Sequence, residues 1–181
     1  MKTSLVIALL RGVNLGAARR VAMADVRRAA EEAGFAGVRS LLQSGNLLLE
    51  TRVGEEGEIA AKLEAAFLAA LGLRTEVVVR SAGAWRAMIQ ANPFVEEART
   101  DPGRLVVVVM KTAPAADAEA ALGAIEGPER ARVIGREAFI YYPDGQADTK
   151  VMGAALDRAL GARGTARNWN TVLKLAGLAG L

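Results

Sequence analysis

Apolar periodicity divides the chain into two stretches with the same order of predicted elements. In the first stretch the pattern predicts β-α-β-β-α-β, at residues 4–10, 24–33, 38–42, 47–51, 55–71 and 75–79. Gly72 fits a helix stop, and the β-branched run after it is typical of a strand. The second stretch repeats this order, at residues 105–111, 117–125, 132–134, 138–142, 151–160 and a short strand ending near residue 167.

A tryptophan-bearing helix follows each stretch, around Trp85 at residues 84–91 and after Trp169 at residues 170–179. A correspondence of seven elements indicates internal duplication. The repeated order predicts an α+β protein of two ferredoxin-like halves, each an antiparallel sheet with two helices on one face. We expect a first half at residues 1–92, a linker at 93–103 and a second half at 104–181.

Composition narrows the chemistry that the chain can perform. Hydrophobic residues make up 52% and aromatic residues 4%, so the apolar content is mainly Ala, Leu and Val. Cysteine and histidine are both absent, which excludes disulfides, thiolate nucleophiles, the usual zinc sites and histidine bases. The net charge of +3 invites a nucleic-acid interpretation, but the excess of arginine over lysine is also what GC-rich codon usage produces. Nucleic-acid binding is therefore not favoured.

The chain begins with an apolar run that resembles a short signal peptide. Arg11 interrupts the run and no small-residue cleavage site follows, so we interpret it as a first core strand. No apolar run approaches the roughly 20 residues that span a bilayer. We expect a soluble, cytoplasmic protein without membrane contact.

Two polar, glycine-rich segments are predicted to lie side by side. In a ferredoxin-like half the first and second strands run in the same direction, so the loop after strand one and the hairpin after strand two share one end of the sheet. Arg11, Gly12 and Asn14 lie in that loop, where an arginine fork and backbone amides suit an anion. The alternatives are a flexible glycine connection and, for the hairpin, a tight turn. The hairpin residues are Gln43, Ser44, Gly45 and Asn46.

A third polar segment lies near the end of the chain. Arg167 suits a phosphate or carboxylate, Trp169 suits stacking, and Asn168, Asn170 and Thr171 suit orientation of a ligand. In the alternative interpretation Asn170 caps the last helix and Trp169 anchors the core. Lys150 is either a further charge at this site or a solvated lysine.

No pattern identifies a catalytic residue, a metal site or a cofactor. The carboxylates lie in helical or linker contexts, where solvation is their default state. RNA-binding modules of this topology stack bases on aromatic side chains of central strands. Only Phe139, Tyr141 and Tyr142 are placed to do so, and alternation puts Phe139 and Tyr141 on one face.

Four segments together resemble the bacterial family called domain of unknown function 1697. They are residues 8–14, 43–46, 92–94 and 167–175. The resemblance covers essentially the whole chain and implies a duplicated ferredoxin-like architecture, with no established activity. The resemblance departs at two places, since family members typically have a glycine where this chain has Ala17, and often a threonine where it has Ala166.

These observations leave three functions open. The first is binding of a small anionic ligand, such as a nucleotide or phosphorylated metabolite, by the three polar segments, with or without a reaction. The second is nucleic-acid binding, for which affinity falls steeply with salt. The third is a structural or partner-binding role in which the polar segments stabilise the fold.

Overall fold

The computed structural model describes residues 3–13, 20–52 and 54–181. Their helices and strands follow the predicted order, with one addition, a short helix in the predicted linker. The first six elements are β1 Ser4–Leu10, α1 Met23–Glu32, β2 Ala36–Leu41, β3 Asn46–Thr51, α2 Glu56–Leu71 and β4 Val77–Ser81. The next are α3 Ala82–Gln90 and α4 Val95–Thr100. The rest are β5 Leu105–Met110, α5 Ala118–Gly123, β6 Arg130–Ile134, β7 Glu137–Tyr141, α6 Gly153–Leu160, β8 Gly164–Asn168 and α7 Trp169–Ala179.

Two four-stranded antiparallel sheets carry the fold, in the orders β2-β3-β1-β4 and β6-β7-β5-β8. The two orders are the same once the second set of strands is renumbered, and both are those of a βαββαβ unit. The chain is therefore an α+β protein with duplicated ferredoxin-like halves, as the sequence predicted.

The chain divides into two compact units, Met1–Ala87 with Lys174–Leu181, and Met88–Leu173. In the first unit alternate residues of β1, including Val6 and Ala8, pack with Val26 of α1 and Leu63 of α2. Ile7, between Val6 and Ala8, is equally buried, so both faces of β1 are apolar. This explains why β1 reads as a continuous apolar run instead of an alternating one.

The second unit is built in the same way. Val106 and Val108 of β5 pack with Leu122 of α5 and Leu156 of α6. Tyr142 also lies in this core, where its hydroxyl donates to the carbonyl of Val151 across 2.9 Å. Burial raises the pKa of Tyr142 to about 12. That tyrosine is therefore a neutral core residue at physiological pH.

Glycine ends the second helix of each half, as predicted at Gly72. Gly72 and Gly161 are both left-handed, with φ of 62° and 61°. A side chain at such a φ costs about 1–2 kcal/mol, which is why glycine terminates both helices. No helix among the described residues is long and apolar enough to cross a membrane.

Candidate functional site

The loop after β1 and the β2–β3 hairpin meet at one end of the first sheet. β1 and β2 run in the same direction because each is antiparallel to β3. The backbone N–H of Leu10 donates to the carbonyl of Gly45 across 2.8 Å. We call residues 11–13 and 42–46 the loop–hairpin end. Asn14, predicted to contact a ligand, lies outside the described residues.

Arg11 is tied to the start of β4. Its backbone N–H donates to the carbonyl of Glu76 (2.9 Å), and its own carbonyl accepts from the Thr75 hydroxyl (2.9 Å). The side-chain Nη1 donates to Oε2 of Glu76 at 3.2 Å. The two side chains keep 27% and 35% of their surface exposed. Both side chains are half-buried and still partly accessible to solvent, so a more highly charged anion can compete with Glu76 for the guanidinium.

Sequence reasoning missed Thr75 and Glu76 as neighbours of Arg11. They follow α2, far along the chain, and nothing local links them to the first loop. The fold topology could have predicted this contact, because the fourth strand of a ferredoxin-like half pairs with the first. The predicted strand began at residue 75, which would have placed these residues beside the end of β1.

Asn46 holds the hairpin closed from the inside. Its side chain is wholly buried. The Nδ2 group donates to the carbonyl of Leu41 at 2.8 Å and to Oγ of Ser44 at 3.0 Å. These contacts are what the turn interpretation expects of an asparagine.

Gly45 is required where the hairpin approaches β1. Its φ is 77°, and a Cβ built on it would lie 2.8 Å from Cβ of Leu10. Leu42, at the other end of the turn, also has a positive φ (60°) and is 51% exposed. Gln43 is exposed, and Ser44 is half-buried with its Oγ bonded to Asn46, so the side chain of Gln43 is the more accessible of the two.

The third polar segment lies in the second unit, at the junction of β8 and α7. Oδ1 of Asn168 accepts from both the backbone N–H and the hydroxyl of Thr171, each at 3.0 Å. Asn168 is therefore the N-cap of α7, and the alternative assignment of this cap to Asn170 was wrong. Asn170 is exposed. Trp169 is only 4% exposed, as a core anchor would be.

Arg167 is buried within β8. Its side chain is 8% exposed, and Nη1 donates to Oγ1 of Thr165 and to the carbonyl of Ala166, both at 2.7 Å. Burial lowers the pKa of Arg167 to about 10. These contacts are with neutral groups of its own strand, which suits a structural role better than contact with a solvent-borne ligand.

Arg80 of β4 is a second buried arginine, and the sequence analysis did not single it out. It is 3% exposed, and Nη1 donates to the carbonyl of Val79 at 2.9 Å. The same Nη1 lies 3.7 Å from Oε2 of Glu56, the first residue of α2. Its only signal in the sequence was a charged residue directly after the β-branched run at 77–79.

Lys150 is a surface residue. Its Nζ pairs with Oε2 of Glu126 at 2.8 Å, and the two side chains are 64% and 89% exposed. A pair this exposed fits the solvated-lysine alternative.

The predicted linker, residues 93–103, contains α4, and Arg130 of β6 connects that segment to the second sheet. The Arg130 guanidinium lies over the rings of Phe94 and Tyr141, 5.5 and 5.1 Å from their centroids, and pairs with Glu97 of α4. The hydrogen bond from Arg130 lowers the pKa of Glu97. Asn92 precedes this segment, and its Oδ1 accepts a hydrogen bond from the N–H of Phe94 at 3.0 Å, which fixes the backbone before α4.

The described residues offer neither a metal cluster nor an open aromatic platform on the second sheet. No group of three or more acidic side chains among them could hold a metal ion. Phe139 and Tyr142 are each 1% exposed, and Tyr141 is half-buried beneath Arg130. The stacking surface that RNA recognition requires is therefore closed at the only positions where the sequence suggested it.

Comparison with known proteins assigns a family. Residues 3–139, more than half of the chain, match a family model described as a protein of unknown function, DUF1697. The chain belongs to this family. The loop–hairpin end of this DUF1697 protein lies within the matched residues, whereas residues 167–171 lie beyond them.

A solved structure extends the likeness of the DUF1697 chain to nearly its full length. The conserved bacterial protein SP0830 from Streptococcus pneumoniae is 19% identical, with a TM-score of 0.73 over 97% of this chain and 98% of that one. At this identity the similarity shows a shared fold. The comparison with curated proteins gives no match.

Proposed function

We propose that this protein binds a small anionic ligand, such as a nucleotide or a phosphorylated metabolite, at the loop–hairpin end of its first sheet. The observation that carries the proposal is the Leu10 to Gly45 hydrogen bond, which holds the Arg11 loop against the hairpin. Arg11 is the contact for the anionic group, and the exposed Gln43 and half-buried Ser44 are the groups that orient the rest of the ligand.

The chemistry of Arg11 supports an anion as the ligand. A guanidinium presents a planar fork of donors that matches phosphate and carboxylate oxygens, and its backbone here is held at both N–H and carbonyl. Glu76 is the competing carboxylate at 3.2 Å. A phosphate group carries more charge than Glu76, so the exchange favours a phosphorylated ligand over a simple carboxylic acid.

The other residues predicted to bind a ligand have structural roles instead or lie on the surface. Gly45 and Asn46 build the turn, and Gly12 precedes Val13, which is buried. We assign Arg167, Asn168, Trp169 and Thr171 to the stability of the second unit, because their side chains are buried or bonded within it. The proposed contact set is therefore smaller than the one that sequence alone suggested.

The test is a thermal-shift screen against nucleotides and phosphorylated metabolites, followed by calorimetric titration of the strongest hit. Arg11→Ala should weaken binding at least tenfold, and Glu76→Gln should strengthen it by removing the competing carboxylate. Arg74→Ala is the matched control, because Arg74 is an exposed arginine two residues before Glu76. Equal losses in Arg11→Ala and Arg74→Ala would reject the site.

Two other results would redirect the assignment. Binding of short RNA or DNA that falls steeply with salt, without a small-molecule hit, would identify phosphate-backbone recognition instead. If no ligand raises the melting temperature, the loop–hairpin end has a structural role and the ligand-binding proposal is rejected.

A further inference from the structure

The second half contains the structural equivalent of the loop–hairpin end. In the first half the N–H of Leu10 donates to Gly45 of the hairpin. At the same place in the second half, the N–H of Met110 donates to the carbonyl of Arg136 across 2.9 Å. The loop after β5 and the β6–β7 turn therefore meet as their counterparts do.

The next ladder position also corresponds. Arg11 donates its N–H to the carbonyl of Glu76 at 2.9 Å, and Lys111 donates its N–H to the carbonyl of Arg163 at 3.0 Å. Each pair extends its ladder by one residue, beyond Leu10↔Val77 and Met110↔Gly164. Lys111 is thus the duplicate of Arg11, and Arg163 is the duplicate of Glu76.

The duplicates differ in charge. Arg11 and Glu76 are opposite charges whose side chains meet at 3.2 Å. Lys111 and Arg163 are two cations at the equivalent pair, where opposed residues have Cβ atoms about 4.5–5.5 Å apart. Lys111 is half-buried and Arg163 is exposed. The first-half contact shows that side chains at this position reach one another.

Two further charged residues, Arg136 and Glu137, lie at the turn beside this pair. Arg136 lies opposite Met110 at the edge of the same turn, and alternation puts its side chain on the opposite face from Lys111. Glu137 lies opposite Val109, and alternation puts it on the face that Lys111 shares. One carboxylate thus faces two cations. All three cations make contacts in the fold, so charge and position, and not vacant donors, distinguish this place.

We propose that this end of the second sheet is a separate anion site, at which Lys111 and Arg163 hold a phosphate group between them. Like charges on opposed residues destabilise a sheet, and a bound phosphate reverses that effect by bridging the two cations. The site stands on residues of the second unit alone and is independent of Arg11.

Inorganic pyrophosphate is the probe, titrated into the full chain by calorimetry at low ionic strength. Arg163→Glu, which introduces the charge found at position 76, should weaken binding at least tenfold. Lys111→Gln should also weaken it at least tenfold, because it removes the other cation. Arg158→Glu is the control, since Arg158 is an exposed arginine of α6, and its binding constant should change less than twofold.

Each outcome decides the proposal. Circular dichroism first establishes that the variants are folded, and Arg163→Gln replaces Arg163→Glu if the reversal unfolds the chain. No pyrophosphate binding, undiminished binding in both variants, or an equal loss in Arg158→Glu would overturn it. Arg11→Ala should retain the binding that depends on Lys111, so this site and the loop–hairpin end can fail separately.

Discussion

Arg80 and Arg167 occupy the same position in the two halves of the duplicated chain. Arg80 lies opposite Ile7 and Arg167 opposite Val107, in each case three residues before the end of the half's first strand. Both are more than nine-tenths buried. Each donates Nη1 to the carbonyl of the residue before it, at 2.9 and 2.7 Å. A buried cation is therefore a shared feature of both sheets.

The two halves stabilise that cation differently. Arg80 has the Glu56 carboxylate 3.7 Å away, whereas Arg167 donates to the hydroxyl of Thr165. Burial lowers the pKa of Arg167, because desolvation disfavours the charged guanidinium.

Thr165→Val should destabilise the protein because it removes an acceptor from a buried guanidinium. We expect a loss of about 1–3 kcal/mol in the free energy of unfolding, measured with urea. In the Arg167→Met background the same substitution should lower the free energy of unfolding much less, because the guanidinium that needs the Thr165 hydroxyl is already absent. Equal costs in both backgrounds would show that the hydroxyl does not support Arg167.

Gly45→Ala should weaken the fold more than Gly12→Ala. Both glycines have a positive φ, 77° and 67°, but only Gly45 has a neighbour, Cβ of Leu10, within 2.8 Å of an added methyl. We expect about 2–4 kcal/mol for Gly45, from backbone strain plus overpacking, and about 1 kcal/mol for Gly12, from strain alone. Urea unfolding of the two variants tests this order, and similar losses would contradict the close approach.

Asn168→Ala should shorten or loosen α7, since Asn168 is its N-cap. The expected cost is about 1 kcal/mol, from loss of the contacts to the N–H and hydroxyl of Thr171. Asn170→Ala, on the exposed neighbour, should change the stability by less than about 0.5 kcal/mol. The melting temperatures of the two variants test this assignment. A larger decrease in Asn170→Ala than in Asn168→Ala would identify Asn170 as the N-cap.

The Arg130–Glu97 pair should make stability depend on acid pH. Because its pKa is lowered from 4.5 in the fold, the Glu97 carboxylate stabilises the native state fully above that value. This contribution is lost as pH falls through the lowered pKa. Arg130→Gln should therefore lose less stability than the wild type between pH 6 and pH 3.

Arg99→Gln supplies the control for that prediction. Arg99 pairs with Glu96 at 2.8 Å on the same helix, but both side chains are at least 70% exposed, so solvent screens the pair. Its pH profile should follow the wild type. Parallel profiles for all three proteins would contradict a role for Glu97.

The element order, the duplication and the fold class were all predictable from the sequence, because apolar periodicity and helix-ending glycines are local signals. The same element order also predicts that the Arg11 loop lies beside the hairpin. It does so because strand direction in a βαββαβ half follows from the order of its elements.

Only the tertiary structure decided which residues meet across long separations. The Arg11–Glu76 pair, the burial of Arg80 and the opposition of Lys111 to Arg163 all depend on strand register, which local propensity does not specify. The capping role of Asn168 depends on where β8 ends and α7 begins. Sequence determined the order of the elements, and packing determined which of their polar side chains support the fold and which face the solvent.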